Sequence, residues 1–406
     1  MSLFSSQRLG LAFAALGVLL PVSAWADTPD CDSISGGAPI IYGAGGSGPR
    51  DVVGVMAVQL ENGDDPVFVV YKDDGGSCSG AYALTGLADP TITGSAVYWP
   101  ADTGSKTTCN LPLAGATVDF AFLDVQATNC PSIGGDASLL DGLVHVSGAA
   151  DPVAVLVPAG STQQSISSEA FYLIYGFGAA AGIEPWTNAD DSYFQRRNDD
   201  SGTQAMVSLA STLPTTAYIG TDAGGGSTLV SNLSALAEPE QGIGFATSAT
   251  ADAHREVIRN LAWKQAGQNV AYYPDSDATS FDKRNVREGR YNVWANISFY
   301  AVEGSSSGSY ANSDVKVLGE YFGGGSQPAG VTSTIAETVI PKGVIPMCAM
   351  HVQRDEDMGP LYAYDDPAPC DCYFDATTTG ATTCETCDDS NPCSSGTCRL
   401  GYCEAN

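Results

Sequence analysis

The feature that most constrains the fold is an alternation of short apolar segments with glycine-rich turns, which begins near residue 34. The pattern predicts a strand over 39–42, a turn over 43–48 and a helix that stops at Asn62-Gly63. A second strand over 67–71 follows, and the glycine-rich segment 75–80 closes it. Strand-length apolar runs that alternate with helical patterns are typical of a largely parallel sheet. We therefore predict an α/β fold.

The same patterns predict the elements further along the chain. We expect a short helix from Ala81, an ambiguous apolar segment over 228–236, strands over 96–99, 153–157, 242–246 and 293–302, and helices over 168–175, 253–264 and 315–322.

Residues 1–26 have the pattern of a secretory signal peptide. Arg8 precedes an apolar run over 9–22, and Ala24-Trp25-Ala26 provides small residues at a cleavage site. We predict that the mature chain begins at Asp27. Because no cysteine directly follows that site, we do not expect a lipoprotein. The protein is expected in the periplasm, or secreted to the cell surface.

The charge balance excludes two classes of partner. The chain has 17 Lys and Arg against 46 Asp and Glu, a net charge of −29. Removing the signal peptide takes away one Arg and no acid, which makes the mature chain more negative still. Such a surface repels nucleic acid and anionic lipid. Any bound anion must therefore be held by local donors.

The twelve cysteines are unevenly placed, and seven lie in the last 37 residues. This region has too little apolar content to bury a core, so cross-links must hold it. Zinc is the alternative, since Cys384-x2-Cys387 has the spacing of a half-site. An exported setting and the lack of His among these 37 residues favour disulfides. Seven is odd, so one cysteine is expected to pair upstream, for example with Cys348.

Two segments have the composition of anion sites. Arg197 lies four residues before Ser201, which is a good N-cap for a helix beginning at Gly202-Thr203. The free N–H groups of such a helix start bind anions. The alternative is a capped helix preceded by a solvated arginine pair. The turn 43–48 matches the dinucleotide pattern weakly, and a smaller anion held near Ser47, or an ordinary tight turn, explains it as well.

Several motifs, taken in order, resemble the periplasmic phosphate-binding proteins of ABC transporters, the PstS-like family in the type 2 periplasmic-binding-protein superfamily. They are Gly-Ala-Gly-Gly-Ser, Gly-Ser-Cys-Ser-Gly, the segment 166–186, Arg-Asn-Asp-Asp-Ser-Gly-Thr, Gly-Ile-Gly-Phe and Val-Arg-Glu-Gly-Arg-Tyr-Asn-Val. The resemblance spans about 36–345 and leaves a cysteine-rich tail, 346–406, unmatched. It implies two α/β lobes joined by a hinge, with the anion between them. Lobe one would be 36–125 plus 291–345, and lobe two 126–290.

The resemblance also implies a set of ligand-binding residues. The loop hydroxyls, the arginine and the helix start that would hold the anion are Ser47, Ser77, Arg197, Ser201, Gly202 and Thr203. Asp199 resembles the acid that orients the arginine. The family also places an Asp after the third strand, to accept the proton of hydrogen phosphate. That position falls near Val97 here, and Asp102 is the nearest substitute.

Three classes of function follow. The first is a monomeric solute-binding protein, without enzyme activity, cofactor or metal, that captures phosphate or a related oxyanion for an ABC permease in the inner membrane. The second is a surface or interaction protein that keeps the fold but has no transport role. The third is a secreted hydrolase using Ser77 or Ser201, which the lack of a neighbouring base disfavours. With no acid at Val97, the site would hold phosphate less selectively, another oxyanion, or nothing.

Overall fold

The computed structural model describes residues 28–405. The predicted signal peptide, its cleavage site and the mature start at Asp27 lie outside these residues. Between residues 28 and 405, no helix combines the length and apolar character needed to cross a membrane.

The strands of the described chain alternate with helices over most of its length. They are β1 (Ile40–Gly45), β2 (Phe68–Lys72), β3 (Thr91–Ile92), β4 (Ser95–Tyr98), β5 (Thr107–Asn110), β6 (Ala116–Thr117), β7 (Phe120–Leu123), β8 (Leu143–Pro158), β9 (Ser165–Ser167), β10 (Gln195–Arg196), β11 (Thr221–Asp222), β12 (Gly244–Thr247), β13 (Ile258–Asn260), β14 (Ala262–Lys264), β15 (Trp294–Val302), β16 (Val352–Gln353), β17 (Tyr362–Ala363), β18 (Thr397–Arg399) and β19 (Tyr402–Glu404).

The α-helices connect these strands and cover the faces of the sheets. They are α1 (Arg50–Asn62), α2 (Ser77–Thr85), α3 (Ser168–Phe177), α4 (Gly202–Ser211), α5 (Gly226–Ser234), α6 (Ser248–Asp252), α7 (Arg284–Arg287), α8 (Ser313–Phe322), α9 (Ile335–Val339) and α10 (Asp371–Thr379).

A mixed sheet organises the molecule, in the order β12-β8-β15-β7-β1-β2-β4-β5, with β13 also paired to β8. Strand β1 has parallel neighbours on both sides, β2 and β7, while the strands beyond them run antiparallel. Helix α1 buries Val53, Met56 and Leu60 against this sheet, together with Phe120 and Phe299 of the strands. The predicted α/β class is confirmed.

Strand β8 is 16 residues long and carries the chain from the first lobe into the second. It pairs with β15 as far as Pro152, and from Val153 its partners are β12 and β13. Beyond this change of partner, a second core forms around Phe171, Tyr175 and Phe245. We place the hinge where the two long strands, β8 and β15, run side by side.

The contacts of residues 126–147 differ from the lobe boundary predicted at residue 126. The Ala127 N–H donates to the Tyr300 hydroxyl at 3.1 Å, and Cys130 forms a disulfide with Cys78. His145 stacks on the Tyr300 ring, with centroids 4.5 Å apart. We therefore assign this segment to the first lobe and place the crossing within β8.

Most predicted elements are confirmed, but the helix predicted over 253–264 is wrong. That segment forms β13 and β14 instead. Ile258 pairs with Pro158 on β8, and the Leu261 N–H donates to the Val155 carbonyl at 2.8 Å. The apolar residues of 257–261 fit a helix face locally. Pairing with the edge of a buried strand overrides that preference, as tertiary context commonly does.

The predicted disulfide-rich tail is confirmed. Its pairs are Cys348–Cys370, Cys372–Cys384, Cys387–Cys398 and Cys393–Cys403, so the odd tail cysteine is joined to Cys348 as predicted. In the first lobe, Cys31 pairs with Cys109 and Cys78 with Cys130. The sulfurs of Cys387, Cys393 and Cys398 lie within 4.8 Å of one another, but each belongs to a disulfide and offers no thiolate to zinc.

The tail docks on the second lobe through α10. The Arg287 guanidinium pairs with the carboxylates of Asp371 and Asp375. It also lies 4.7 Å from the centre of the Phe374 ring, and Phe374 is fully buried. Since Arg287 is only 6% exposed, these contacts hold a desolvated charge at the junction of the tail with the lobe.

A second tail segment, the hairpin 352–363, reaches the first lobe and the hinge. Its Arg354 guanidinium lies 3.9 Å from the centre of the Trp294 ring on β15. Asp357 Oδ2 accepts hydrogen bonds from the Gln126 N–H at 2.7 Å and from Asn129 Nδ2 at 2.8 Å. The hairpin thus bridges the hinge and the first lobe.

Candidate functional site

The carboxyl ends of the three parallel strands meet at one edge of the first lobe. Ser47 follows β1, Ser77 begins α2 after β2, and Asp124 directly follows β7. Strand β1 lies between β2 and β7: the chain runs from β1 to β2 on one side and later returns to β7 on the other side, so the strand order reverses at β1. Ligands of open α/β sheets bind at such a switch point. The loop after β1 comes very close to Asp124, since a Cβ at Gly48 would lie 2.3 Å from Asp124 Oδ1.

The second lobe contributes Arg197 and the start of α4. Arg197 is 3% exposed, and hydrogen bonds fix both its backbone and its side chain. Its backbone N–H donates to Gln204 Oε1 at 3.1 Å, and its Nε donates to the Gly224 carbonyl, also at 3.1 Å. Nη2 donates to Ser47 Oγ at 3.2 Å. This bond joins the two lobes across the cleft. Nη1 makes no hydrogen bond within the described residues.

Helix α4 begins as predicted. Ser201 is its N-cap, and Ser201 Oγ accepts from the Gln204 N–H at 3.4 Å. Gly202 lies against the first lobe, where a Cβ would come within 2.6 Å of Ser77 Oγ. Ser201, Gly202 and Thr203 are all buried. The predicted residues of both lobes therefore meet at one place, while their part in ligand binding stays a prediction.

Asp124 is the acid at the centre of this site. Its Oδ2 accepts from Ser77 Oγ at 3.3 Å and from Thr203 Oγ1 at 3.1 Å, so both lobes bond to one carboxylate. Oδ1 is buried and has no hydrogen-bond partner among the described residues. Burial raises the pKa of Asp124, while the charge of Arg197 and the hydrogen bonds from Thr203 and Ser77 act against that rise.

The expectation that this acid is missing near Val97 is therefore corrected. Val97 lies in β4, which runs antiparallel to β2. Asp102 lies exposed in the turn that follows β4. Strands β3 to β6 are inserted between α2 and β7, so the third parallel strand comes later in the chain than expected. The fully buried apolar run Phe120–Leu123, ending at Asp124, was the signal that could have found it.

The expected role of Asp199 also differs from the structure. The Asp199 carboxylate lies 3.6 Å from Arg196 Nη1 and is half exposed. Arg196 further donates to the Gly220 carbonyl at 3.3 Å. Instead of Asp199, the backbone carbonyl of Gly224 holds the Arg197 side chain in position. Sequence reasoning cannot assign a backbone acceptor that lies 27 residues away.

The arrangement suits a small tetrahedral anion that carries one proton. A buried guanidinium, two hydroxyls and a helix start supply donors, and charge-assisted bonds of this kind are the strong ones. Burial lowers the pKa of Arg197 and the Asp124 charge raises it, so the arginine and the acid support each other's ionised form. Asp124 Oδ1 supplies a buried acceptor that has no hydrogen-bond partner among the described residues.

No family model matches the chain, and no curated protein sequence matches it. Solved structures do match. One, from Clostridium perfringens with bound phosphate, is described as a phosphate ABC transporter substrate-binding protein; it is 12% identical, with a TM-score of 0.51 over 76% of this chain and 99% of that chain. An ABC-type phosphate transport receptor from Vibrio cholerae is 13% identical, with a TM-score of 0.46 over 75% and 99%. The chain has the two-lobed, mixed α/β fold of these binding proteins, as the resemblance predicted, extended by the disulfide-rich tail.

Proposed function

We propose that this chain is an extracytoplasmic binding protein that captures inorganic phosphate as hydrogen phosphate and delivers it to an ABC importer. The observation that carries the proposal is the unpaired, buried Oδ1 of Asp124 next to the buried Arg197. The Clostridium perfringens protein, whose structure contains bound phosphate, supports the same ligand class. The six disulfides suit an exported protein.

The site combines hydrogen-bond donors with one carboxylate acceptor, and this combination would select phosphate. Arg197, the hydroxyls of Ser47 and Ser201 and the N–H groups at the start of α4 would bind the unprotonated oxygens. Asp124 Oδ1 would accept the remaining O–H. Sulfate has no proton at neutral pH, so its oxygen and Oδ1 would face each other as two acceptors. Such an unpaired buried contact costs roughly 1–3 kcal/mol, and more when both groups are charged.

Calorimetry of the purified chain, 27–406, with phosphate, arsenate, sulfate and molybdate tests this proposal. Phosphate and arsenate, which are protonated at neutral pH, should bind at least ~100-fold more tightly than the two fully ionised anions. Asp124→Asn should narrow that ratio by strengthening sulfate binding, because an amide can donate where a carboxylate cannot. Equal affinity for sulfate and phosphate in the unaltered protein would contradict the proposal.

The tail is the observation that favours a second candidate, a surface or interaction protein without a transport role. Its four disulfides and its docking through Arg287 give it a fixed position on the second lobe. On this hypothesis the same calorimetry detects no oxyanion binding by a folded protein. Permease genes next to the coding sequence would favour transport instead.

A further inference from the structure

A cavity of about 200 Å³ lies at the anion site, with Ser47, Gly48 and Arg197 in its wall. It begins at Ser47 and Arg197, which it shares with the site, and extends between the lobes. The first lobe adds Arg50 and Lys106 to its wall, and the second lobe adds the first turn of α5. The volume corresponds to about seven water molecules at liquid density. It is enough for a phosphate together with a second small anionic group.

Three cations surround this cavity in a strongly acidic protein. Arg197 is 3% exposed and leaves Nη1 without a hydrogen bond among the described residues. Lys106 makes no ion pair in the part of the chain that the structure describes. Arg50 pairs with two carboxylates, Asp73 at 2.9 Å and Asp51 at 3.3 Å, so its own charge is balanced. Among the described residues, Arg197 and Lys106 thus leave positive charge without an ion pair in the cavity wall of a protein with 17 basic and 46 acidic residues, which favours a negatively charged ligand.

The second lobe provides uncharged donors opposite these cations. Helix α5 is nine residues long, and its N-cap Gly225 offers no side chain to its first N–H groups. Between residues 28 and 405, the hydroxyls of Ser227 and Thr228 make no hydrogen bond. The buried Arg197 faces the same cavity, so the helix start is not an isolated feature. Donors from both lobes therefore surround one small space.

We propose that this site takes a phosphate that carries a second anionic group, and that its ligand class is the phosphoanhydrides, represented by inorganic diphosphate. The inference rests on the proposed function. One phosphate would bind between Arg197, the start of α4 and Asp124. The second would lie in the cavity, between Lys106 and the first turn of α5. A lone phosphate would leave Lys106 and the α5 donors unused.

Lys106 is carried by the hairpin of β4 and β5. Lys106 lies directly before β5, in the connection from β4, within the insertion that separates α2 from β7. The same insertion displaced the third parallel strand in the sequence. It brings a lysine to the mouth of the cleft, so ligand size depends on the inserted hairpin.

Calorimetry with inorganic diphosphate and with phosphate, at low ionic strength, tests this inference. Methylenediphosphonate, whose bridge is not hydrolysed, serves as a second probe. The unaltered protein should bind both double anions at least ~10-fold more tightly than phosphate. Lys106→Glu should weaken diphosphate binding by ~10-fold or more and change phosphate binding by less than ~3-fold. Thr228→Val should also weaken diphosphate binding, but by less than Lys106→Glu does.

Lys264→Glu is the matched control, since Lys264 is an exposed lysine outside the cavity and gives the same change in net charge. It should leave both affinities within ~2-fold. Phosphate bound more tightly than either double anion would overturn the inference and leave the proposed function standing. Equal weakening of phosphate and diphosphate by Lys106→Glu would overturn it as well. If neither anion binds, the proposed function itself fails.

Discussion

The neighbouring arginines 196 and 197 differ sharply in environment, and this gives the most direct test of the site. Arg197→Ala removes the buried cation that joins the lobes through Ser47. Truncating one member of a desolvated charge pair costs roughly 2–5 kcal/mol, so phosphate affinity should fall by ~30-fold to several thousand-fold. Arg197→Lys should retain only part of the phosphate affinity, because a lysine lacks the planar guanidinium group that can donate two parallel hydrogen bonds. Calorimetry measures the phosphate affinity of the unaltered protein and of the two folded variants.

Arg196→Ala is the internal control for that experiment. Arg196 bonds to Gly220 and Asp199 rather than to the cleft, and it is partly exposed. Its loss should change phosphate affinity by less than a few-fold, as for most surface substitutions. A larger effect of Arg196→Ala than of Arg197→Ala would contradict the assignment of the site.

At the scale of single residues, the sequence predicted more of the second lobe's contribution than of the first lobe's. The Arg197–Thr203 segment is local, so its spacing alone indicates a cation before a helix start. Ser47 lies 150 residues from Arg197, and only the resemblance placed the two together. Asp124 was missed because an insertion moved it, and Asp199 was given a role that a backbone carbonyl fills. Contacts that depend on insertions or on the backbone leave no local pattern.

At the scale of elements, the local spacing of apolar residues predicted the correct secondary structure where one face of a segment is buried. Helices α1, α3 and α8 have apolar faces with helical spacing, and each was predicted. The segment 253–264 has a similar spacing but forms edge strands against β8. Helix α2 begins at Ser77, four residues before the predicted start, because its glycine-rich first turn lacks apolar residues. The hydroxyl of Ser77 thus belongs to a helix start.

The helix α10 is expected to depend on Arg287 for its attachment. Arg287→Ala leaves Asp371 and Asp375 without their cation and removes the contact with Phe374. Since both carboxylates are partly exposed, we expect a loss of about 1–3 kcal/mol in the free energy of unfolding and faster proteolysis of the tail. Arg284→Ala is the control, because its pair with Glu288 lies at the surface, where solvent screens it, and should contribute little to stability. Similar proteolysis of both variants would contradict this docking.

The hairpin 352–363 should make stability depend on pH. Burial raises the pKa of Asp357 to about 6, despite the hydrogen bonds from Gln126 and Asn129 and the charge of Arg354. A carboxyl whose pKa is raised on folding favours the folded state below its unfolded pKa, near 3.8, and loses that contribution as pH rises through 6. With its partial exposure, the loss should be about 1–2 kcal/mol. In Asp357→Asn, the free energy of unfolding, measured by urea unfolding, should change less between pH 4 and 6 than it does in the unaltered protein.

At the scale of the whole molecule, the fold implies a closing motion. The cleft lies between lobes that are linked by β8 and β15, and Arg197 reaches Ser47 across it. Saturating phosphate should shift the population toward the closed form, because the ligand binds donors of both lobes. Small-angle scattering should record a smaller radius of gyration with phosphate than without it. Arg197→Ala should show no such change, and an unchanged profile for the unaltered protein despite measured binding would contradict closure.

The six disulfides lie at the two ends of the described chain and not in its middle. Cysteines occur up to Cys130 and again from Cys348, and none lies between them in the sequence. Every described cross-link therefore stiffens either the first lobe or the tail, and the second lobe has no covalent tie beyond its own backbone. In an oxidising compartment, the disulfides would thus stiffen two parts of the chain and leave rotation of one lobe against the other free of any covalent restraint.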